Sequence, residues 1–451
     1  MENEVRNTAD TVRELFEKKD FASLRRKLED MEPADVAALI GKCDTEEALV
    51  LFRIIPKDLA ADTFVEMEAD MQRSFIEKFT DKEISEMIEE LFLDDTVDII
   101  EEMPANVVKR ILSNASPETR SLINQLLNYP KDSAGSIMTT EFVELRAHMT
   151  VAEAFDRMRA TGVDKETIYT CYVTDDGRRL IGVTTVKDMI LGGNDAEVGE
   201  LMETTIISAG THMDKEDVVK LLDKYDFLAI PVVDTENRLV GIVTFDDAMD
   251  VLRDEDTEDM EIMAAITPSE KPYLKTSVFD IYFKRVPWLL LLMVSATVTS
   301  NILMRFEHAL AAQAALIAYI PMIMDTGGNA GGQSSVTIIR GMSLGEIHMG
   351  DILKIIWKEA RVAIMCGISL AVLNFGKMLV VDRVTPLVAL AVCITLAMTV
   401  IVAKSIGCTL PILAKRIGFD PAVMASPFIT TIVDAVALLI YVNVAQMFFT
   451  L

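Results

Sequence analysis

The chain is short of the residues that anchor small cross-linked or catalytic folds. It has five cysteines in 451 residues, Cys43, Cys171, Cys366, Cys393 and Cys408. No two of them have metal-ribbon or disulfide-framework spacing. Three lie in apolar runs, where cysteine acts as a small hydrophobe, so a reduced, intracellular soluble part is expected. The four histidines, His148, His212, His308 and His348, form no ligand cluster. No nucleophile–base signature occurs, so an enzyme is not expected. The GxxxxGK[ST] phosphate loop is also absent, which excludes the motor subunit of an ATP-driven importer. Basic residues are scarce: 43 against 70 acids give a net charge of −27. Nucleic-acid binding wants the opposite balance. The opening MENEVRNTAD has neither a basic n-region nor an apolar h-region, so no signal peptide is read there. Membrane helices would then act as their own insertion signals.

What is present is unevenly distributed. A mean hydropathy of +0.29 is unusual for a chain one-quarter charged. Residues 276–451 hold 12 Lys/Arg and 9 Asp/Glu, leaving 31 and 61 in residues 1–275. The negative excess thus lies wholly in the first three-fifths, which reads as soluble. The rest reads as membrane-embedded.

Residues 1–130 read as short helices, with apolar residues at three- and four-residue spacing. Pro33, Pro56, Pro104 and Pro117 each fall near an expected helix start. Residues 131–255 change to a strand–turn–strand pattern that occurs twice at a constant offset of 59: Asp175 with Asp234, Leu180 with Leu239, Gly182 with Gly241, Thr185 with Thr244, Asp188 with Asp247. This is a duplicated α/β unit, in segments 131–199 and 200–255. It resembles a pair of CBS domains, regulatory modules that pack about a pseudo-twofold axis. Residues 256–284 form an acid-started amphipathic link into the membrane.

Five apolar segments follow: Val286–Met304, Ala309–Ile339, Val362–Gly376, Val384–Ala403 and Pro421–Leu451. About 20 residues cross the hydrocarbon at 1.5 Å rise, so all five can span. Lys284, Arg285, Arg340, Lys354, Lys358, Arg361, Lys415 and Arg416 fall on one side, against Arg305, Lys377 and Arg383 on the other. The basic side is expected to be cytoplasmic, placing the N-terminus inside and the C-terminus outside.

Two intramembrane features need a reason. Asp434 interrupts an otherwise uncharged span, and a carboxylate there costs roughly 2.5–3.5 kcal/mol on insertion scales. It is either functional or a helix-paired group gluing the bundle, with Lys404 the nearest candidate partner. The second feature is DTGGNAGGQS from Asp325. Its four glycines permit close helix approach or a broken helix. They do not account for Asp325, Asn329 and Gln333, which recur every fourth residue and so share one helix face. Oxygen-bearing side chains suit a hard, partly hydrated divalent cation.

With the downstream stretches RIGFDP (from Arg416) and SPFITTIVD (from Ser426), these residues carry a resemblance over essentially the whole chain. It resembles the MgtE family of Mg²⁺ channels. The resemblance implies a multidomain protein: an all-α helical N domain, an α/β tandem CBS pair, a long linking (plug) helix and a five-helix α transmembrane domain. It implies a homodimer in the cell membrane with the pore on its twofold axis. Asp434 from both subunits would form the central ion site, with main-chain oxygens around Thr430 contributing and Asp420 toward the cytoplasmic mouth. Symmetry is also reasonable physically, because five helices with one deep carboxylate do not easily enclose a polar pore.

Acids are dense near the link. Asp247 and Asp250, and Glu255, Glu258 and Asp259, share helix faces, where like charges repel by a few tenths of a kcal/mol per pair. Asp214, Glu216, Asp223 and Asp226 precede them, and Asp94, Asp95 and Asp98 lie in the N domain. The resemblance implies that acids at Asp95, Asp214, Glu216, Asp226, Asp247, Asp250, Glu255, Glu258 and Asp259 bind intracellular Mg²⁺ and close the pore; Asp98 and Asp223 belong to the same clusters. CBS pairs often bind adenine nucleotides such as ATP. Thr185 and Asp188 match the ribose-binding Thr-x-x-Asp and Phe227 an adenine contact, while the family's stacking aromatic falls at Thr170. The competing reading is a secondary divalent-cation transporter using alternating access around Asp325 and Asp434.

Overall fold

The computed structural model describes residues 11–162, 165–269, 273–274, 276–305 and 314–449. The first ten residues, read above as lacking a leader, and residues 309–313 of the expected second span lie outside them. The chain divides into two compact units, Met1–Leu252 and Arg253–Leu451.

The first unit begins with a succession of short helices running from Phe21–Glu29 to Pro117–Leu126. Their starts are chemically specified. Pro33 and Pro117 occupy the first turn, where a missing N–H costs nothing. Pro56 and Pro104 are the N-cap residues of the helices that follow. Asp44 accepts from the N–H groups of Glu46 and Glu47, and Thr80 and Glu83 form a reciprocal capping box. Phe52, Phe64, Phe75 and Phe79 interlock at the centre, mostly edge to face.

The duplicated segment builds two matching three-stranded sheets. β1 (Val143–Leu145) runs parallel to β2 (Thr170–Thr174), which pairs antiparallel with β3 (Leu180–Thr185). β4 (Ala209–Gly210), β5 (Ala229–Val233) and β6 (Leu239–Thr244) repeat the arrangement. The bulges fall at equivalent places, Val173/Thr174 and Val232/Val233. Contacts between the repeats are reciprocal. Leu180 N–H donates to Asn237 O and Leu239 N–H to Arg178 O, each at 3.0 Å. Met202 fills the space over Gly182, and Met138 fills the space over Gly241. A methionine ahead of each repeat thus covers the hairpin glycine of the other repeat.

The helix Phe245–Met263 starts inside the second repeat. It is shorter than a continuous link to residue 284: the chain turns at Ala264–Ala265, where Ala265 adopts positive φ. Lys284 Nζ donates to Pro268 O at 2.7 Å, tying this turn to the next helix.

In the second unit four helical stretches are long and apolar enough to cross a membrane, among the described residues: Val278–Arg305, Met349–Val380, Pro386–Arg416 and Pro421–Phe448. The expected second span is the helix Ile320–Ser343, here the glycine helix. Its 24 residues are long enough, but its polar stripe lowers its apolarity. The helices outrun the expected spans. Ile352–Val380 takes in Lys354, Lys358, Glu359 and Arg361, and Pro386–Arg416 runs past Lys404 and through Pro411. No breaker separates these charges from the apolar runs, and long basic side chains can snorkel.

Candidate cation pathway and acidic junction

The glycine helix is continuous, so its glycines serve close packing and not a helix break. A methyl at Gly328 would meet Thr430 Cγ2 at 2.8 Å, and one at Gly327 would meet Thr399 Cγ2 at 2.7 Å. One at Gly331 would meet Ile429 Cγ2 at 2.8 Å and Ala403 O at 3.2 Å. The opposite face carries Asp325, Asn329 and Gln333, all exposed. The spacing therefore sorted this helix into a packing face and a polar face, as a four-residue period must.

Against the packing face lies the helix Ser426–Phe448. Its Thr430 touches the Gly328 position, which puts Asp434 one turn further along, close enough to Asp325 for the two carboxylates to interact electrostatically. Asp434 Oδ1 is buried and has no hydrogen-bond partner. Lys404, the candidate partner, is committed elsewhere: its Nζ lies 3.2 Å from Ser334 Oγ and 4.0 Å from Glu359 Oε2. Lys404 is therefore engaged with Ser334 and Glu359 and not with Asp434. Thr399 Oγ1 is a second buried, unpartnered oxygen beside the glycine helix, and nothing in the sequence distinguishes it from other helix threonines. Asp420 stands apart. It is exposed and caps the turn Pro421–Met424, accepting from Ala422 N–H at 2.7 Å. Ser335 Oγ donates to Met424 O at 2.8 Å and fixes that turn to the glycine helix.

A second acidic site forms in the first unit, around the start of the helix Leu93–Glu102. Its N-cap, Phe92, offers no side-chain cap. Glu141 supplies one from a distance, accepting from Leu93 N–H at 3.1 Å. Asp94 is buried on a face otherwise made of Leu93, Val97 and Ile100. Asp94 Oδ1 and Glu166 Oε2 are both buried without hydrogen-bond partners. Burial, then the charge of Asp247, pushes Asp94 well above the ordinary carboxylate value. The same causes raise Asp95 to about 7 and Glu166 to about 8. Asp98 is pushed to about 7 but is exposed at the rim, where water screens it. Asp247 rises to about 6 through burial, opposed by the Thr244 hydroxyl, which donates to Asp247 Oδ2 at 2.6 Å.

Asp95, Asp98 and Asp247 are thus brought together, and Asp250 adds its charge to Asp247. Asp214, Glu216, Asp223 and Asp226 are not among them. They lie on the helix Lys215–Tyr225 and its ends: Asp214 is the N-cap, Asp226 the left-handed C-cap, and Glu216 pairs with Lys220 at 2.7 Å. Glu255, Glu258 and Asp259 belong to the second unit. Glu141 and Glu166 went unnoticed because one more acid in an acid-rich chain carries no contrast. Asp94 had a signal, an acid on an apolar helix face. Among the described residues no three His, Cys, Asp or Glu side chains converge into a ready-made metal cage.

At the nucleotide candidate, Thr185 and Asp188 form a capping box, the Thr185 hydroxyl donating to Asp188 Oδ2 at 2.5 Å. Thr170 pairs with Thr185 across the sheet. Phe227 stacks on Tyr225 with centroids 5.5 Å apart, and Tyr169 is two-thirds exposed beside Thr170.

Comparison with known proteins matches residues 320–444 to the MgtE divalent cation transporter family, 31–132 to the MgtE intracellular N domain, and 134–192 and 198–254 to CBS domains. The chain is 35% identical to magnesium transporter MgtE of Thermus thermophilus over 441 residues, 97% of each chain. It is 32% identical to that of Bacillus subtilis, covering 95% of this chain and 94% of the relative. A solved cytosolic domain of the Mg²⁺ channel MgtE in complex with ATP matches 54% of this chain and 99% of its own at 36% identity, TM-score 0.52. The soluble part of a magnesium transporter matches 56% and 99% at 29% identity, TM-score 0.53.

Proposed function

This chain belongs to the MgtE family of magnesium transporters, and from that premise we propose that it carries Mg²⁺ across the cell membrane as a Mg²⁺-gated, homodimeric channel. It is a membrane-integral transporter and no catalytic role is indicated. One observation carries the ion path: the unpartnered, buried Asp434 oxygen beside a helix whose Asp325–Asn329–Gln333 face is left exposed by the single chain. Two copies about a twofold axis turn that face into a lined path. Mg²⁺ dehydrates reluctantly, so few carboxylates with amide and main-chain oxygens suit it better than a full cage. In this reading Asp434, Asp325, Asn329 and the oxygens around Thr430 line the path, and Asp420 lies at its cytoplasmic mouth. The N-terminus is cytoplasmic and the C-terminus outside. The unbroken glycine helix favours a channel over alternating access, which commonly uses interrupted helices at the site.

The gate in this reading is the acidic junction. Intracellular Mg²⁺ neutralises carboxylates of the Asp95, Asp98 and Asp247 cluster, with Asp250, Glu255, Glu258, Asp259, Asp214, Glu216, Asp223 and Asp226 as further ligands. Binding biases a two-state element toward the closed form through the linking helix. Adenine nucleotide binds at Thr185, Asp188 and Phe227, supported by the relative solved with ATP.

The test is Mg²⁺ influx into vesicles carrying the purified chain. Asp434→Ala is expected to abolish it, and wild-type influx in that variant would remove the central assignment. Millimolar Mg²⁺ is expected to protect the junction from protease; identical cleavage in chelator would exclude the gate.

A further inference from the structure

The helix Ile352–Val380 turns its two kinds of charge to different sides. Its only acid, Glu359, faces inward: Oε2 accepts from the Ser334 hydroxyl at 2.6 Å and lies 4.0 Å from the buried Lys404. Two of its lysines, Lys354 and Lys377, each have an acid at 2.8 Å, Asp351 and Asp382. Lys358 and Arg361 are exposed, and no carboxylate pairs with either among the described residues. Three residues apart, they share a face. The residues around them are apolar and open: Leu353 is 78% exposed and Trp357 65%. The Arg361 guanidinium stands 5.7 Å from the Trp357 ring centroid, and its Nε donates to the Trp357 carbonyl at 3.3 Å. That contact holds the guanidinium in place and uses only its Nε donor.

Depth fixes what these cations meet. Beyond Arg361 the exposed residues are apolar, among them Ile364, Met365, Ile368 and Leu373, and the next charge is Lys377. The rise from Arg361 to Lys377 is about 24 Å at 1.5 Å per residue, close to the hydrocarbon thickness of about 30 Å. Arg361 thus stands where the helix leaves the hydrocarbon, and Trp357 in the interfacial layer that amphipathic rings prefer. At Lys377 the protein supplies its own counter-charge; at Lys358 and Arg361 it supplies none. The anion at hand at that depth is a lipid phosphate. A second copy packed on this face about a twofold axis would set the same cations against each other. We propose that Lys358 and Arg361, with the Trp357 ring beside the acyl chain, bind the headgroup phosphate of an anionic phospholipid. The inference needs only that this helix spans the bilayer.

The chain has two tryptophans, Trp288 and Trp357, so Trp288→Phe leaves Trp357 as the sole reporter. The experiment reconstitutes that full chain into phosphatidylcholine vesicles containing phosphatidylglycerol, with brominated acyl chains on one lipid or the other, and reads the quenching of Trp357. Phosphatidylglycerol is expected to be favoured over phosphatidylcholine at Trp357 by about fivefold or more, falling below about twofold when Lys358→Gln and Arg361→Gln are added. Lys377→Gln should leave the preference unchanged. Equal quenching by the two lipids, no quenching by either (as when a second copy covers Trp357), or a preference that survives the paired substitution overturns the proposal. So does loss of the preference in millimolar inorganic phosphate, which would mark a general anion site. If the paired variant does not reach the vesicles, Arg361→Gln decides alone: a preference at least halved supports the site, and an unchanged one overturns it.

Discussion

Gly331 and Gly407 meet backbone to backbone: a methyl placed on Gly407 would run into the Gly331 carbonyl. The obstacle is main chain, so no side-chain rotation relieves it. Gly407→Ala is expected to force the helices apart, at a cost of about 1–3 kcal/mol by the usual scale of overpacking. The displacement moves the glycine helix, and with it Asp325, relative to Asp434. We expect Mg²⁺ influx to fall at least tenfold in protein still extracted as folded. Wild-type influx would show that the crossing has slack and does not set the path. Gly376 is the control: a methyl there meets nothing within 4 Å, and alanine should leave influx unchanged.

Asp325 and Asp434 stand on two helices packed against each other, close enough for their charges to interact. Residues in contact give non-additive effects of about 0.5–3 kcal/mol, whereas distant ones add. Asp325→Asn and Asp434→Asn, singly and together, are therefore expected to show a coupling energy of at least ~0.5 kcal/mol in influx rate. The double variant should be less impaired than the product of the singles. Additive losses would place the two acids on independent steps.

How far these features can be read from sequence depends on contrast. Asp434 stands out because a lone charge in an apolar run is costly wherever the helix lies. The Asp325–Asn329–Gln333 face stands out because its period matches the helix. The repeat offset predicted two matching α/β units, and their bulges fall at equivalent places because one duplicated unit is built twice. Glu166 is invisible by the same logic: among 70 acids it has no contrast, and only the packing of helix Leu93–Glu102 against the CBS repeats gives it neighbours. Lys404 misleads for a related reason. Its partner is chosen by which helix packs beside it, and local sequence holds no record that Ile352–Val380 brings Glu359 there. The helices run past the expected spans where charges follow an apolar run, since a charge does not end a helix.

The capping box at Thr185 and Asp188 lets two roles be separated in one measurement. Losing a cap costs about 1 kcal/mol, or about 2–4 °C for a domain of this size. Asp188→Ala should lower the melting temperature of a fragment of residues 1–252 by that amount without ligand. Saturating ATP should raise the wild-type value by several degrees through mass action and leave the variant unmoved. An equal ATP shift in both proteins would move the nucleotide away from Asp188.

The acidic junction gives the stability of the same fragment an inverted pH dependence. Carboxylates in unfolded chains titrate near 4. In the folded chain Asp247 stands at about 6, Asp95 at about 7 and Glu166 at about 8, because burial and mutual repulsion disfavour their charged forms. Between about pH 4 and pH 8 the folded state therefore holds more protons than the unfolded one, and stability falls as pH rises through that window. In chelator, lowering pH from 8 to 6 should raise the melting temperature by at least ~2–4 °C, the equivalent of about 1 kcal/mol. Millimolar Mg²⁺ should flatten the trend by replacing the protons as the neutralising charge. Glu166→Gln removes a group raised to about 8 and should reduce the slope in chelator. A melting temperature that rises with pH in chelator, or a slope indifferent to Glu166→Gln, would mean that these carboxylates do not share one charged site.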